Sequence, residues 1–107
     1  MGLDIYISSV RNSADLPDTT DKPESLPIIQ HDVAYWRNNW TIQKWASYLY
    51  DSHAGKSEQF NGVSVRLKRW DLDSLFLTTP ESTAFGELAI AHTALDNGHA
   101  LYITTFW

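Results

Sequence analysis

Four histidines are the residues of this chain best suited to metal binding or proton transfer: His31, His53, His92 and His99. No two of them are three or four residues apart, which is the spacing at which a helix presents two imidazoles to one metal ion. His31 and His53 flank a predicted helix that would hold them about 30 Å apart. The spacings therefore predict no metal site.

A short charged cluster is the second candidate for chemistry. Asp71 and Asp73 lie beside Arg66, Lys68 and Arg69, and two such carboxyl groups could act as general acid and base. A carboxyl group acquires a pKa suited to that work through burial, and a segment this polar is expected to stay in water. We interpret the cluster as the junction between a strand and a helix, with an aspartate in the first helical turn.

Motifs that accompany catalysis are missing from the sequence. There is no Gly-x-Ser-x-Gly element, no P-loop and no dinucleotide-binding glycine pattern. We therefore predict a non-enzymatic protein with no catalytic residue, no cofactor and no metal.

The tryptophan-rich segment 32–50, DVAYWRNNWTIQKWASYLY, carries the strongest functional signal. Its apolar residues recur at helical spacing on two opposite sides, and Asp32 is placed to cap such a helix. One side is predicted to face the core through Tyr35, Ile42, Trp45, Ala46 and Leu49.

The opposite side of this predicted helix carries the predicted partner-binding residues Trp36, Arg37, Trp40 and Lys44. Tryptophan and arginine are the residues most enriched among interface hot spots, and together they also stack planar rings and bind anionic groups. The alternative is that the 9–30 loop or the far edge of the sheet covers both tryptophans.

Composition restricts the class of protein. The chain has 107 residues, which suffice for one domain over residues 1–107, and no cysteine, which fits a reducing cytoplasm. A formal charge of −5 makes direct nucleic-acid binding unexpected. We expect a cytoplasmic protein with no membrane segment, since the N-terminus has no basic leader and no apolar run approaches about 20 residues.

The order of elements predicts an α+β fold. Alternating residues predict strands at 3–8, 62–67 and 100–106, and helical spacing predicts helices at 32–50, 70–77 and 80–97. The last helix is expected to begin at Thr79-Pro80 and to stop at Asn97-Gly98. Residues 9–30 are predicted to form a long loop with three prolines and the acidic residues Asp15, Asp18, Asp21 and Glu24. A short strand or plug is the alternative for the apolar end of this loop at Leu26, Ile28 and Ile29. We expect a sheet of about three strands packed against the helices.

Three segments resemble a group of small, largely uncharacterised proteins of bacteriophages and prophages. They are MGLDIY at 1–6, YWRNNWTIQKW at 35–45 and GHALYITTFW at 98–107; the group opens with MGLDMY and carries a YWRKxNxIHxWF motif. Two polar positions depart from that motif, since its asparagine is Trp40 here and its histidine is Gln43. The resemblance implies a mobile-element origin and no particular reaction, and the exchange of asparagine for Trp40 favours a protein partner over a small polar ligand.

These observations lead to one functional hypothesis and two alternatives. We expect a phage or prophage binding protein in the host cytoplasm that inhibits a host factor or an immune system such as CRISPR–Cas by protein–protein contact. The first alternative is a small-molecule or nucleotide-binding protein with Arg37, Gln43 and His92 near a pocket. The second alternative is a homo-oligomeric phage accessory subunit.

Overall fold

The computed structural model describes residues 2–11, 16, 19–20, 26–54, 62–81 and 85–106. Within these ranges the chain forms five strands and three helices. The elements are β1 (Asp4–Val10), β2 (Thr19–Thr20), β3 (Ile28–Arg37), α1 (Trp40–Ala54), β4 (Ser64–Leu67), α2 (Arg69–Thr78), α3 (Phe85–Asp96) and β5 (Ala100–Phe106). None of the described helices is long and apolar enough to cross a membrane.

The strands form one antiparallel sheet in the order β2-β4-β5-β1-β3, with the helices packed against it. This arrangement confirms the α+β class. The three predicted strands correspond to β1, β4 and β5, which are neighbours in the sheet. The expected number of about three strands is wrong, because β2 and β3 add to both sides of that group.

The largest correction concerns the predicted helix 32–50. Its first part is the end of strand β3, which runs through Arg37, and α1 begins only at Trp40. Ala34 and Trp36 are buried against the helices whereas Tyr35 and Arg37 are exposed, and this alternation is the period of a strand. Asp32 lies within β3 and is no helix cap. Asn39 takes that position, since its side-chain oxygen accepts a hydrogen bond from the Ile42 N–H at 3.2 Å.

The predicted 9–30 loop is wrong at its start and in part of its middle, and at its end the structure has the strand that was the alternative there, as the start of a longer one. β1 continues to Val10, Thr19–Thr20 pairs with β4, and β3 begins at Ile28. The four acidic residues of this segment lie outside the described residues. Leu16 and Leu26 pack with Val10, Ala100 and Tyr102 in a small second core.

The main core lies between the sheet and the helices. β1 supplies Ile5 and Ile7, which are fully buried, and α1 supplies Ile42 and Ala46. Burying a side chain of isoleucine size contributes about 1.5–3 kcal/mol to folding. The sheet therefore has a helix-covered face and an opposite face, which we call the helix-free face.

Helices α2 and α3 follow the predictions 70–77 and 80–97 in part. α2 runs from Arg69 to Thr78, and Asp71 caps its start by accepting the Lys68 N–H at 2.7 Å. Thr79 ends α2, because its N–H and hydroxyl both donate to the Leu75 carbonyl. The predicted start of α3 at Thr79-Pro80 is therefore wrong.

The predicted stop of α3 at Asn97-Gly98 is confirmed. Gly98 has a φ of 82°, and the N–H groups of Gly98 and His99 donate to the carbonyls of Leu95 and Ala94, both at 3.0 Å. This is the hydrogen-bond pattern of a glycine-terminated helix, in which a left-handed residue turns the chain away.

Asn38 joins strand β3 to helix α1 and ties both to the N-terminal segment. It has a φ of 57°, a left-handed conformation that asparagine tolerates better than most residues. Its N–H donates to the Leu3 carbonyl at 2.7 Å, and its side-chain oxygen accepts the Leu3 N–H at 2.9 Å. Leu3 itself is fully buried, so this pair of bonds positions the entry to β1.

We predict that Asn38→Ala lowers the free energy of unfolding by about 1–3 kcal/mol, because it removes a buried backbone partner and leaves alanine in the left-handed region. Asn38→Gly keeps the conformation and loses only the side-chain bond, so its loss is expected to be smaller. Urea denaturation measures both values. Asn97→Ala, at an exposed asparagine without positive φ, is the control and should change stability by less than about 0.5 kcal/mol; equal losses for all three variants would contradict this role of Asn38.

Candidate functional site

The four residues predicted to bind a partner do not share one surface. Trp36 is only 9% exposed and belongs to the main core, whereas Arg37 is its neighbour on β3 and points to the helix-free face. Trp40, 56% exposed, and Lys44 are one turn apart on α1. The single helical face that the sequence predicts is therefore wrong, because its first half is a strand. A role of Arg37, Trp40 and Lys44 in binding stays a prediction.

Residues from three distant strands, β1, β3 and β5, meet on the helix-free face. In the antiparallel register Asp4 stands opposite both Arg37 and Phe106, and Tyr6 stands opposite Tyr35. The Tyr6 ring lies 4.9 Å from the Tyr35 ring and 6.3 Å from the Phe106 ring, measured between centroids. We call the side chains of Asp4, Tyr6, Tyr35, Arg37 and Phe106 the aromatic row. Tyr35 was predicted to face the core; it does not, because the strand turns it outward, 40% exposed.

Hydrogen bonds organise the polar part of the aromatic row. The Tyr35 hydroxyl donates to the Asp4 carboxylate at 2.6 Å, and this bond is the largest cause of a raised pKa of Tyr35. A hydrogen bond from Arg37 acts in the opposite direction on that pKa. The Arg37 guanidinium also lies over Gly2, where a side-chain Cβ would stand 3.2 Å from Nη2. Arg37 thus lies between Gly2 and the Tyr35 hydroxyl, opposite Asp4 in the register of β3 and β1.

A second surface lies between α2 and α3, and we call it the α2–α3 cleft. It encloses about 530 Å³ and is lined mainly by apolar side chains. Leu77 and Phe85 stand at its mouth and are 77% and 68% exposed. The Phe85 ring also lies 5.1 Å from the ring of Phe76, which is half-buried in the cleft wall. Large apolar side chains exposed next to an apolar cleft are typical of binding surfaces.

Charged side chains border the α2–α3 cleft on one side. Arg69 donates to the Asp96 carboxylate across the two helices, and the His92 ring lies 3.8 Å from Asp73. Asp71 and Asp73, the predicted acidic pair, point to different surroundings, since Asp71 is buried in its capping bond and Asp73 is exposed. This arrangement accords with the interpretation of the cluster as a helix start. These polar contacts connect α2 with α3 and leave the apolar mouth of the cleft open.

Arg37, Gln43 and His92, proposed as one ligand pocket, are not brought together. Arg37 lies on the helix-free face, His92 lines the α2–α3 cleft, and Gln43 is buried on α1. Within the described part of the chain, the Gln43 side-chain oxygen has no hydrogen-bond partner. His99 bonds the Ser9 hydroxyl at 3.1 Å, and among the described residues no group of three histidine or acidic side chains is placed to hold a metal ion.

The sequence analysis did not single out Leu77 or Phe85, which are 77% and 68% exposed. Leu75, Phe76 and Leu77 are consecutive apolar residues in a helix, so they cannot all face the core. This run therefore indicated that one of the three side chains is exposed, and in the structure it is Leu77. Nothing in the sequence could reveal that α3 begins at Phe85 and leaves this ring at the mouth of a cleft.

We predict that Asp4→Asn lowers the pKa of Tyr35 towards its ordinary value of 10.0, because the variant removes the charged acceptor of its hydroxyl proton. The hydrogen bond that raises the pKa of Tyr35 stabilises the folded state while the Tyr35 phenol is neutral. That stabilisation is present below pH 10 and is lost as the pH rises through the raised pKa. Titration of tyrosinate absorbance, with Tyr35→Phe to assign the signal, measures the shift. Asp51→Asn, on α1, is the control, and an equal shift in both variants would contradict the assignment.

Comparisons of this chain with protein-family models, with curated proteins and with solved structures find no match.

Proposed function

We propose that this chain is a non-enzymatic binding protein that acts by protein–protein contact, and that its partner docks at the α2–α3 cleft. The observation that carries the proposal is the exposure of Leu77 and Phe85 at the mouth of an apolar cleft. Neither residue belongs to the main core, so the fold does not account for them. Binding of a partner accounts for the exposure of both side chains.

The energetics of this surface favour a protein partner. Removing a leucine or phenylalanine side chain from water contributes about 1.5–3 kcal/mol to the free energy of binding. Leu77 and Phe85 lie at the same cleft, so one partner can bury both of these anchors. Asp73 and His92 lie in the lining of the cleft, 3.8 Å apart, and the Arg69–Asp96 ion pair joins the far ends of the two helices. Such an apolar centre with a charged margin resembles the anatomy of protein interfaces.

The kind of partner is suggested by the resemblance to phage and prophage proteins. A small binding protein carried by a phage can act by covering the working surface of a host factor or of a defence complex such as CRISPR–Cas. We propose a host or defence-system protein of this kind as the partner, with inhibition by occlusion as the mechanism. The aromatic row on the helix-free face offers a second area of contact, with Arg37 at its edge on β3.

Small-molecule binding is a second candidate function, and it rests on a separate groove between α1 and α2. This groove encloses about 640 Å³ and is lined by Lys44, by the aromatic side chains Trp45 and Tyr48, and by several hydroxyl groups. The Trp45 indole N–H donates to the Ser74 hydroxyl at its floor, at 3.4 Å. A thermal shift produced by one member of a nucleotide panel, and abolished by Lys44→Ala, would favour this function.

We predict that Leu77→Ser combined with Phe85→Ser weakens partner binding by about a hundredfold, since both anchors lose their apolar contact. The wild-type protein is immobilised, exposed to lysate of a bacterial host, and its partner is identified by mass spectrometry. Affinity for the purified partner is then measured by calorimetry for both proteins.

The matched control is Tyr48→Ser, since Tyr48 is 77% exposed like Leu77 and lies on α1, outside the cleft. It should bind as the wild type does. Circular dichroism and the melting temperature should be unchanged in both variants, because the substituted side chains are exposed. A partner bound equally by the wild type and the folded double variant would overturn the assignment to the cleft.

A further inference from the structure

A cleft of about 310 Å³ lies between α3 and β3, and we call it the α3–β3 cleft. It shares no residue with the groove between α1 and α2, and only Ala89 with the α2–α3 cleft. Its lining combines apolar side chains with the uncharged polar side chains of Ser9, Gln30, Thr93, Asn97 and His99. Hydrogen-bonding groups that converge in an otherwise apolar cleft are the usual composition of a small-molecule site.

A small side chain at a core position leaves the α3–β3 cleft open. On β1, Ile5 and Ile7 point to the helices and are fully buried, and Ser9 follows them on the same side with 2% exposure. Protein cores are packed with few voids larger than a water molecule. A serine where β1 otherwise carries isoleucine therefore leaves a space that the chain itself does not fill.

A hydrogen bond between Ser9 and His99 organises the buried end of the cleft. The Ser9 hydroxyl oxygen lies 3.1 Å from Nδ1 of His99, so the bond joins β1 to the turn between α3 and β5. The register between β1 and β3 shifts on both sides of Ser9, and such irregularities redirect side chains and are frequent beside functional sites. A hydroxyl that donates to a ring nitrogen can still accept a hydrogen bond from a ligand.

Two exposed carboxamides stand on opposite walls of the cleft, Gln30 on β3 and Asn97 just after α3. A carboxamide presents one donor and one acceptor in a plane, which complements the amino group and the ring nitrogen along one edge of adenine. The same two walls carry Ile29 and Ile90, which are 48% and 46% exposed. Flat bases taken up by proteins stack between side chains of this kind.

The lining formed by the described residues contains no aspartate, glutamate, lysine or arginine, and this restricts the ligand to a neutral molecule. An ion in the cleft would lose hydration without meeting an opposite charge, which is unfavourable. The formal charge of −5 on the chain also opposes contact with the phosphates of a nucleic acid. Both conditions favour a nucleoside over a nucleotide or a nucleic acid.

We propose that the α3–β3 cleft binds the adenine ring of a neutral nucleoside. The ring lies between Ile29 and Ile90. The amide of Gln30 or of Asn97 accepts a hydrogen bond from the exocyclic amino group and donates one to the adjacent ring nitrogen. The Ser9 hydroxyl, held by His99, supplies an acceptor at the buried end.

Calorimetric titration with adenosine tests the site. The dissociation constant is expected below about 1 mM, as for a ligand of this size held by a few hydrogen bonds. Inosine is the matched ligand, because a carbonyl replaces the amino group and leaves the amide oxygen without a donor. It should bind at least about fivefold more weakly. A single strand of about ten deoxyadenosines should bind no more tightly per base than adenosine does.

Variants of the lining assign the binding to the α3–β3 cleft. Thr93→Phe places a ring in the cleft from an exposed helix position and should abolish adenosine binding while circular dichroism shows a folded protein. Gln30→Leu with Asn97→Leu removes both amides and should weaken adenosine binding by at least about tenfold. The matched control is Thr41→Phe, the same exchange at an exposed threonine of the groove between α1 and α2, and it should bind adenosine like the wild type.

Four results would overturn the inference. They are no binding by the wild type at about 5 mM adenosine, binding that survives Thr93→Phe, equal affinity for inosine, and tighter binding of the single strand. Loss of binding through Thr41→Phe in place of Thr93→Phe would also overturn it, since adenosine would then occupy the groove between α1 and α2. The inference does not depend on the proposed function, which is tested at Leu77 and Phe85 with a protein partner.

Discussion

The position of β1 between β3 and β5 is the constraint on which the remaining structure depends. Its register with both neighbours sends Ile5 and Ile7 into the core and turns Asp4 and Tyr6 to the helix-free face. A slip of one residue would exchange these two sets, which is why a strand with one apolar side specifies its register strongly. The bonds between Leu3 and Asn38 hold the start of β1 against the corner where β3 becomes α1. The aromatic row and the placement of α1 both follow from that register.

The surface retains apolar residues that the core does not use. Leu77 and Phe85 flank one cleft and Ile90 and Ile29 line another, on two sides of α3. Single exposed apolar residues are common in globular proteins, whereas groups of them beside clefts are typical of interaction sites. The two surfaces differ in their lining, since Asp73 and His92 lie in the first and uncharged residues dominate the second.

Residues 32–50 explain why part of the fold was not predictable. Val33, Trp36 and Trp40 have helical spacing, while Ala34 and Trp36 alternate with Tyr35 and Arg37 as in a strand. Both periods are present, and local propensity does not choose between them. Pairing with β1 decides for the strand, because β1 would otherwise lack hydrogen-bond partners on one side. Because Trp36 and Arg37 lie in this strand, they do not share the predicted helical face with Trp40 and Lys44.

The sequence by itself determined the features that depend on neighbours in the chain. The alternation in β1, β4 and β5, most of α2 and the end of α3 at Asn97-Gly98 were predictable, because periodicity and glycine conformation are local properties. Only the tertiary structure decided that Trp36 is buried, that Arg37 joins Asp4 and Tyr6, and that Phe85 and Ile90 remain exposed. These outcomes depend on which distant segment supplies backbone partners and covers each side chain. Packing of the whole chain determines which segment pairs with and covers each residue. The pattern of neighbouring residues alone carries no information on that packing.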